Sequence, residues 1–154
     1  MSVRVKAGDF DVGAEVAALG GADLGIGAVV SFVGLVRDVV GEAPLRALEL
    51  EHYPGMTERQ LEAVEAEANR RWRLRGSLIV HRFGRLAPGD RIVLVATASP
   101  HRGDAFAACQ FLIDWLKTRA PFWKREETAA GDRWVEARAE DEAAAAGWES
   151  PSEG

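Results

Sequence analysis

The stretch Ser77–Ala98, SLIVHRFGRLAPGDRIVLVATA, decides the fold class of this chain. Its two ends, Ser77–Phe83 and Asp90–Ala98, are rich in valine, isoleucine and leucine and read as strands. Between them GRLAPGD carries Pro88-Gly89, a turn signal. A connection that short cannot hold a crossover helix, so the strands are expected to pair antiparallel. Other short β–β connections recur along the chain, interleaved with helices. An α+β fold with a mainly antiparallel sheet and a terminal β-hairpin is expected.

Toward the N-terminus, a helix is expected to start with Thr57 as N-cap and Gln60 three residues on, the capping-box spacing. Leu61, Val64, Ala68 and Trp72 recur at helical intervals, and Gly76 closes the helix. Leu45–Tyr53 alternates Leu48, Leu50 and His52 with Glu49 and Glu51, the pattern of a half-buried strand, and Pro54-Gly55 breaks it. Gly27–Gly34 is apolar and suits a buried strand. The intervening LVRDVVGEAPL reads as a loop or a projecting hairpin, because of Gly41 and Pro44. Asp11 is placed to cap a short helix through Leu19, and Val3–Val5 forms a first strand.

Toward the C-terminus, the next helix runs from Gly103 to Arg119, and Pro121 stops it. Ala105, Ala108, Cys109, Leu112 and Leu116 make its apolar stripe; Phe106, Gln110, Ile113 and Lys117 make the adjacent one. Phe122–Glu127 and Arg133–Ala137 form a hairpin across AAGD. Residues 1–139 are expected to make one domain. Residues 140–154, with only Trp148 to bury, are expected to be a flexible tail.

The 154 residues carry a net charge of −5, which argues against a general nucleic-acid binder. No apolar run reaches the roughly 20 residues of a membrane span. The opening MSVRVKAGDF lacks the apolar core of a secretory signal, so a cytoplasmic protein is expected. Cys109 is the only cysteine, and the three histidines have no metal-ligand spacing. Cys109, on the apolar stripe, reads as an inert buried thiol. No GxSxG, HExxH or glycine-rich phosphate loop occurs.

Against that acidic background, Ser99–Glu127 concentrates His101, Arg102, Lys117, Arg119, Lys124 and Arg125. A reversal of the chain at Pro121 would let Lys117 and Lys124 approach one another beside Ile113 and Phe122. Paired amines with apolar walls suit proton transfer. Equally, Lys117 and Arg119 could complement the negative end of the helix, with Lys124 and Arg125 on a solvated strand. Arg37 follows a buried strand at a loop, where binding groups or a pair with Asp38 are both reasonable. His101 and Arg102 open the helix, where exposed amides attract anions, though His101 could also cap the helix or pack its ring. His52 and His81, on strands, read as buried or hydrogen-bonded.

LEHYPGMTE (Leu50–Glu58), the Gly89-Asp90 turn, the His101-Arg102 pair, LKTRAPFWKRE (Leu116–Glu126) and GDRWVEAR (Gly131–Arg138) together resemble the catalytic large subunit of molybdopterin synthase. The likeness spans Gly27 to Arg138. It implies an α/β hammerhead-type fold, a homodimer, and a heterotetramer with two copies of a small ubiquitin-like sulfur carrier. It further implies sulfur transfer from the carrier's Gly-Gly thiocarboxylate to cyclic pyranopterin monophosphate, forming the dithiolene of molybdopterin, with no metal or other cofactor on this subunit. Lys117 and Lys124 match the family's catalytic lysines, and both also contact substrate. Arg37, His101, Arg102, Arg125, Glu126 and Arg138 match positions that bind the pterin phosphate or the carrier's end, with the His101-Arg102 pair able to serve the neighbouring subunit. Leu35 stands where many relatives carry a basic residue. The chain ends ESPSEG rather than in Gly-Gly, so a separate carrier protein is expected.

Two other classes of function stand beside this one. A binding module would hold a phosphorylated metabolite or carrier tail without turnover. A single-strand nucleic-acid binder would use the aromatic-cationic FWKRE, against the chain's acidic charge.

Overall fold

The strands read in Ser77–Ala98 form the centre of the first of two sheets. The computed structural model describes residues 1–40, 43–135 and 139–149. In chain order its elements are β1 (Ser2–Lys6), α1 (Val12–Gly20), β2 (Ala28–Leu35), β3 (Val39–Val40), β4 (Ala43–His52) and α2 (Met56–Arg71). There follow β5 (Gly76–Arg82), β6 (Gly84–Leu86), β7 (Arg91–Ser99), α3 (Arg102–Thr118), β8 (Phe122–Thr128), β9 (Gly131–Val135) and α4 (Ala139–Ala146).

The first sheet has the order β1-β5-β7-β2. β5 and β7 pair antiparallel with Gly76 opposite Ala98 and His81 opposite Val93, as the short connection requires. β2 is antiparallel to β7, and only β1 runs parallel to its neighbour β5. The second sheet runs β3-β4-β8-β9, with β6 on β4. An α+β fold with mainly antiparallel sheets is thus observed, and β8–β9 is the expected terminal hairpin.

Helices α2 and α3 cover the first sheet. Leu61, Val64 and Ala68 of α2 join Ile79, Val93, Val95, Cys109, Phe111 and Leu112 in one buried cluster. Burying a leucine or phenylalanine there contributes about 2 kcal/mol each, which is why these two stripes set the packing. On the opposite face, α1 and Phe10 cover Leu78, Val80, Leu94 and Ala96. A third cluster, Val36, Leu45, Leu48, Leu50 and Leu86, lies under the second sheet.

Several local details differ from expectation. The N-cap of α2 lies two residues before Thr57: it is Gly55, with φ of 85°, and the Glu58 carboxylate accepts from the Gly55 amide. Thr57 is fully buried instead. Its hydroxyl accepts from the Tyr53 amide at 2.9 Å and donates to the Pro121 carbonyl at 3.2 Å. The helix ends at Arg71, and Gly76 opens β5, where a Cβ would meet Leu19 Cδ1 at 2.8 Å. The GRLAPGD connection contains β6, which crosses to the second sheet and pairs Leu48 with Leu86. In Leu35–Leu45, by contrast, the hairpin reading holds, with Val39 opposite Pro44.

The segment beyond Ala139, expected to be a flexible tail, instead carries α4, and Ala145 is buried. Alanine-rich sequence favours the helix, and Trp148 anchors it. The indole sits edge-on to Trp72 and Phe111, and its Nε1 donates to Asp114 at 2.6 Å. The Trp148 carbonyl accepts from Arg71 at 2.6 Å. Among the described residues no helix is long and apolar enough to cross a membrane.

Candidate functional site

α3 runs back along β7. Thr97 Oγ1 donates to the Ala105 carbonyl at 2.7 Å, and Cys109 Sγ lies 3.9 Å from the Val95 carbonyl. The last turn of α3, with Lys117, therefore lies toward Val93 and the end of the sheet where His81 stands opposite it. The chain then turns at Pro121, which the Thr57 hydroxyl ties to the start of α2. β8 follows as a strand of the second sheet, with Lys124 opposite Leu50 and Val135.

His81 is where these elements meet. Its ring stacks on Phe122, with centroids 3.8 Å apart and planes at 18°. His52 packs on Phe83 at 4.2 Å and stands opposite Phe122 in the β4–β8 register. Burial pushes the His81 imidazole down to about 4, and the positive charges of Lys124 and Lys117, then His52, push the same way. The hydrogen bond to the Arg82 carbonyl opposes them. His81 and His52, read from the sequence only as buried or hydrogen-bonded, belong to this site. Their ring partners Phe122 and Phe83 are 41 and 31 residues away in the chain, so alternation alone could not reveal them.

Side-chain alternation along β8 sorts its remaining residues. Lys124 and Glu126 share one face; Trp123, Arg125 and Glu127 share the other. Glu126 is 6% exposed, its Oε1 lies 3.9 Å from Arg133, and its Oε2 is buried without a hydrogen-bond partner. Arg125 faces Glu49 directly across the ladder and is bound to it, with Glu127 at 3.6 Å and Asp132 at 3.8 Å. Arg125 is therefore engaged with three carboxylates on the face away from Lys124.

Arg37 is exposed just beyond β2, held by the Val36 amide on the Asp90 carbonyl and the Gly89 amide on the Val36 carbonyl. It makes no ion pair with Asp38 among the described residues. Because Leu35 pairs with Arg91, Arg37 lies at the same end of the sheet as His81. His101 and Arg102 lie at the opposite end. They are exposed, and His101 makes no side-chain capping bond. From Arg102 to Lys117 the helix rises about 22 Å, so one chain does not bring this pair to the lysines. Arg138 lies outside the described residues.

Two nearby features are separate from the lysines. Cys109 is buried and its thiol is pushed up to about 11 by desolvation, in keeping with an inert thiol. A cleft of about 440 Å³ between α2, α3 and α4 is lined by Phe111, Trp115 and Trp148. Its arginines are occupied: Arg71 by Glu67 and the Trp148 carbonyl, Arg119 by Glu149 at 2.8 Å.

Residues 5–119 match the family model described as MoaE protein. The chain belongs to the MoaE family. It is 55% identical over 147 residues to a molybdopterin synthase catalytic subunit of Ralstonia nicotianae, covering 96% of this chain and 84% of that one. It is similar in structure to a molybdopterin biosynthesis MoaE protein from Burkholderia ambifaria, with a TM-score of 0.82, 55% identity, and coverage of 97% and 99% of the two chains. A more distant fold likeness, at TM-score 0.72 and 20% identity, is to a chain in a complex of subunits 1 and 2 of molybdopterin-converting factor from Helicobacter pylori. It covers 88% of this chain and 91% of that one. The matched residues include the strands around His81 and α3 with Lys117, and end at Arg119, before Lys124.

Proposed function

We propose that this chain is the catalytic subunit of a molybdopterin synthase. It transfers sulfur from the C-terminal thiocarboxylate of a small ubiquitin-like carrier to cyclic pyranopterin monophosphate, in two rounds that form the dithiolene. The observation that carries this reading is that the end of α3 with Lys117 and the start of β8 with Lys124 come together at the His81–Phe122 stack, in a chain of the MoaE family. Both reactants are anionic, and paired ammoniums attract them and stabilise negative charge that develops during transfer. Lys117, on the rigid end of α3, is the principal proton-transfer group, and Lys124 is its partner.

Arg37 stands at the same end and binds the pterin phosphate or the carrier's end, and Glu126 orients groups on the Lys124 face. Arg125 supports β8 through its carboxylates. Arg138 is assigned a substrate contact by the family resemblance alone. His101 and Arg102, exposed and about 22 Å along α3 from Lys117, serve the site of a second copy in a homodimer. One carrier docks at each end, giving a heterotetramer that works in the cytoplasm without a cofactor of its own. The two-subunit complex from Helicobacter pylori is in keeping with a small-subunit partner.

The test is reconstitution. This protein, a thiocarboxylated carrier and cyclic pyranopterin monophosphate are mixed and molybdopterin is assayed. Product formation that depends on the thiocarboxylate supports the reading. Binding of carrier and pterin without product assigns the site to a binding module instead.

A further inference from the structure

The first sheet ends in β2, and the outer edge of β2 pairs with no strand among the described residues. Edge strands are ordinarily protected by charged residues or proline. β1, at the other end of the same sheet, carries Arg4 and Lys6, and β9, at an end of the second sheet, carries Asp132 and Arg133. β2 is AVVSFVGL, with neither a charge nor a proline. Exposed apolar side chains bracket it: Leu24, 99% exposed, just before the strand, and Leu35, 54% exposed, at its end. The turn that presents Leu24 is fixed, with Asp23 accepting from the Gly25 amide at 2.9 Å and from Arg75 at 2.7 Å. Such an edge is a template for a further strand.

Helix α3 adds a flank to this edge. α2 packs on β1 and β5 while α3 packs on β7 and β2, so the side of α3 turned away from α2 overlooks the free edge. Phe111 and Trp115 are on the α2 and α4 side. The opposite flank, at three- and four-residue steps, is Arg102, Phe106, Gln110, Ile113 and Lys117. All but Ile113 are exposed, Phe106 to 60%.

A second copy of this chain fits here by symmetry. Antiparallel pairing of β2 with the β2 of another copy, about a two-fold axis perpendicular to the sheet, keeps both α3 helices on one face and sets them antiparallel. Neighbouring strands lie about 4.8 Å apart, so two helices seated over their own β7–β2 pairs come about 10 Å apart, the spacing of packed helices. The levels agree as well. Phe32, near the middle of β2, stands opposite Val95, whose carbonyl is 3.9 Å from Cys109 Sγ at the middle of α3. An axis at that level sets Phe106 of one copy beside Ile113 of the other, and Arg102 of one beside Lys117 of the other. The apolar pair is covered, and the cations gather where an anion is to be held.

We infer that the free edge of β2 is a self-association surface: two copies pair through β2 into one continuous sheet, with α3 packed against α3, and each site takes Arg102 from the other copy. This inference rests on the homodimer of the proposed function and names the surface that forms it.

The experiment is cross-linking and sedimentation. Gln110 stands near the axis and Cys109 is buried, so Gln110→Cys supplies a single accessible thiol. A short bismaleimide is expected to join most of that variant into covalent dimers. The unaltered protein is expected to sediment as a dimer. Phe106→Lys, at a position exposed in one copy, is expected to stay folded and to weaken the dimer at least about tenfold. A monomeric unaltered protein, with the edge left for the carrier, overturns the inference. So does a dimer that Phe106→Lys leaves intact and Gln110→Cys does not cross-link. Neither measurement uses turnover, so both decide the surface whatever the chemistry proves to be. For the shared site, Arg102→Ala and Lys117→Ala are co-expressed. About half of the dimers are mixed, with one of two sites intact, so about a quarter of full activity is expected. No recovery in a cross-linkable dimer overturns the shared site. Full activity of Arg102→Ala alone refutes the role proposed for Arg102 and leaves the surface standing.

Discussion

The imidazole of His81 lies face to face with the ring of Phe122, 3.8 Å between centroids and 18° between planes. β5 and β8 belong to different sheets, and this stack joins them where α3 delivers Lys117 and β8 delivers Lys124. The joint is apolar, tightly packed and next to two cations, so it responds to protonation.

Acidification is expected to weaken the fold through this ring. His81 titrates at about 4 when folded and near 6.5 when unfolded. Between those values the unfolded chain binds more protons, so stability is full above about pH 6.5 and is lost as pH falls toward 4. The ring's loss over that window is about 3 kcal/mol. The facing groups Lys124, Lys117 and His52 act in the same direction. Urea melts from pH 7 to pH 4.5 measure it. Folded His81→Phe should show a shallower decline, and an identical decline would contradict the assignment.

Trp148 should hold the C-terminal helix to the body of the protein. Its indole meets Trp72 and Phe111, and its Nε1 donates to Asp114, which is 9% exposed. Trp148→Ala is expected to cost about 2–4 kcal/mol, read from a denaturant midpoint. Trp148→Phe keeps a ring and loses the donor, and is expected to cost about 1–2 kcal/mol. A loss below about 0.5 kcal/mol in the alanine variant would mean that the tail contributes nothing.

Cys109 should be silent to thiol reagents in the native state. It is buried, its thiol is pushed up to about 11, and only the thiolate reacts. Iodoacetamide labelling at pH 8 is expected to follow global unfolding. Fast labelling of folded protein would show that α3 opens locally away from β7.

Much of the fold was legible because its signals are local. The alternation in Leu45–Tyr53, the stripe Ala105-Ala108-Cys109-Leu112 and the Pro88-Gly89 turn each needed only neighbouring residues, and each element stands within two or three residues of its expected bounds. Thr57 misled because it satisfies the N-cap pattern, while its hydroxyl is used by Pro121, 64 residues away. β6 was hidden because three residues carry no periodicity and its pairing is made by β4. The site divides the same way. Pro121 signalled that Lys117 and Lys124 could converge, and the length of α3 alone separates His101 and Arg102 from them. The two histidine–phenylalanine ring contacts depend on how the sheets meet, which no local pattern encodes.

The central claim is that Lys117 and Lys124 perform the chemistry. The most direct measurement is single-turnover sulfur transfer from thiocarboxylated carrier to cyclic pyranopterin monophosphate, using Lys117→Ala and Lys124→Ala with their melts and carrier affinity recorded alongside. A folded, carrier-binding Lys117→Ala is expected to lose at least about 100-fold in rate, with a smaller loss in Lys124→Ala. Rates in both variants equal to that of the unaltered protein would contradict the account.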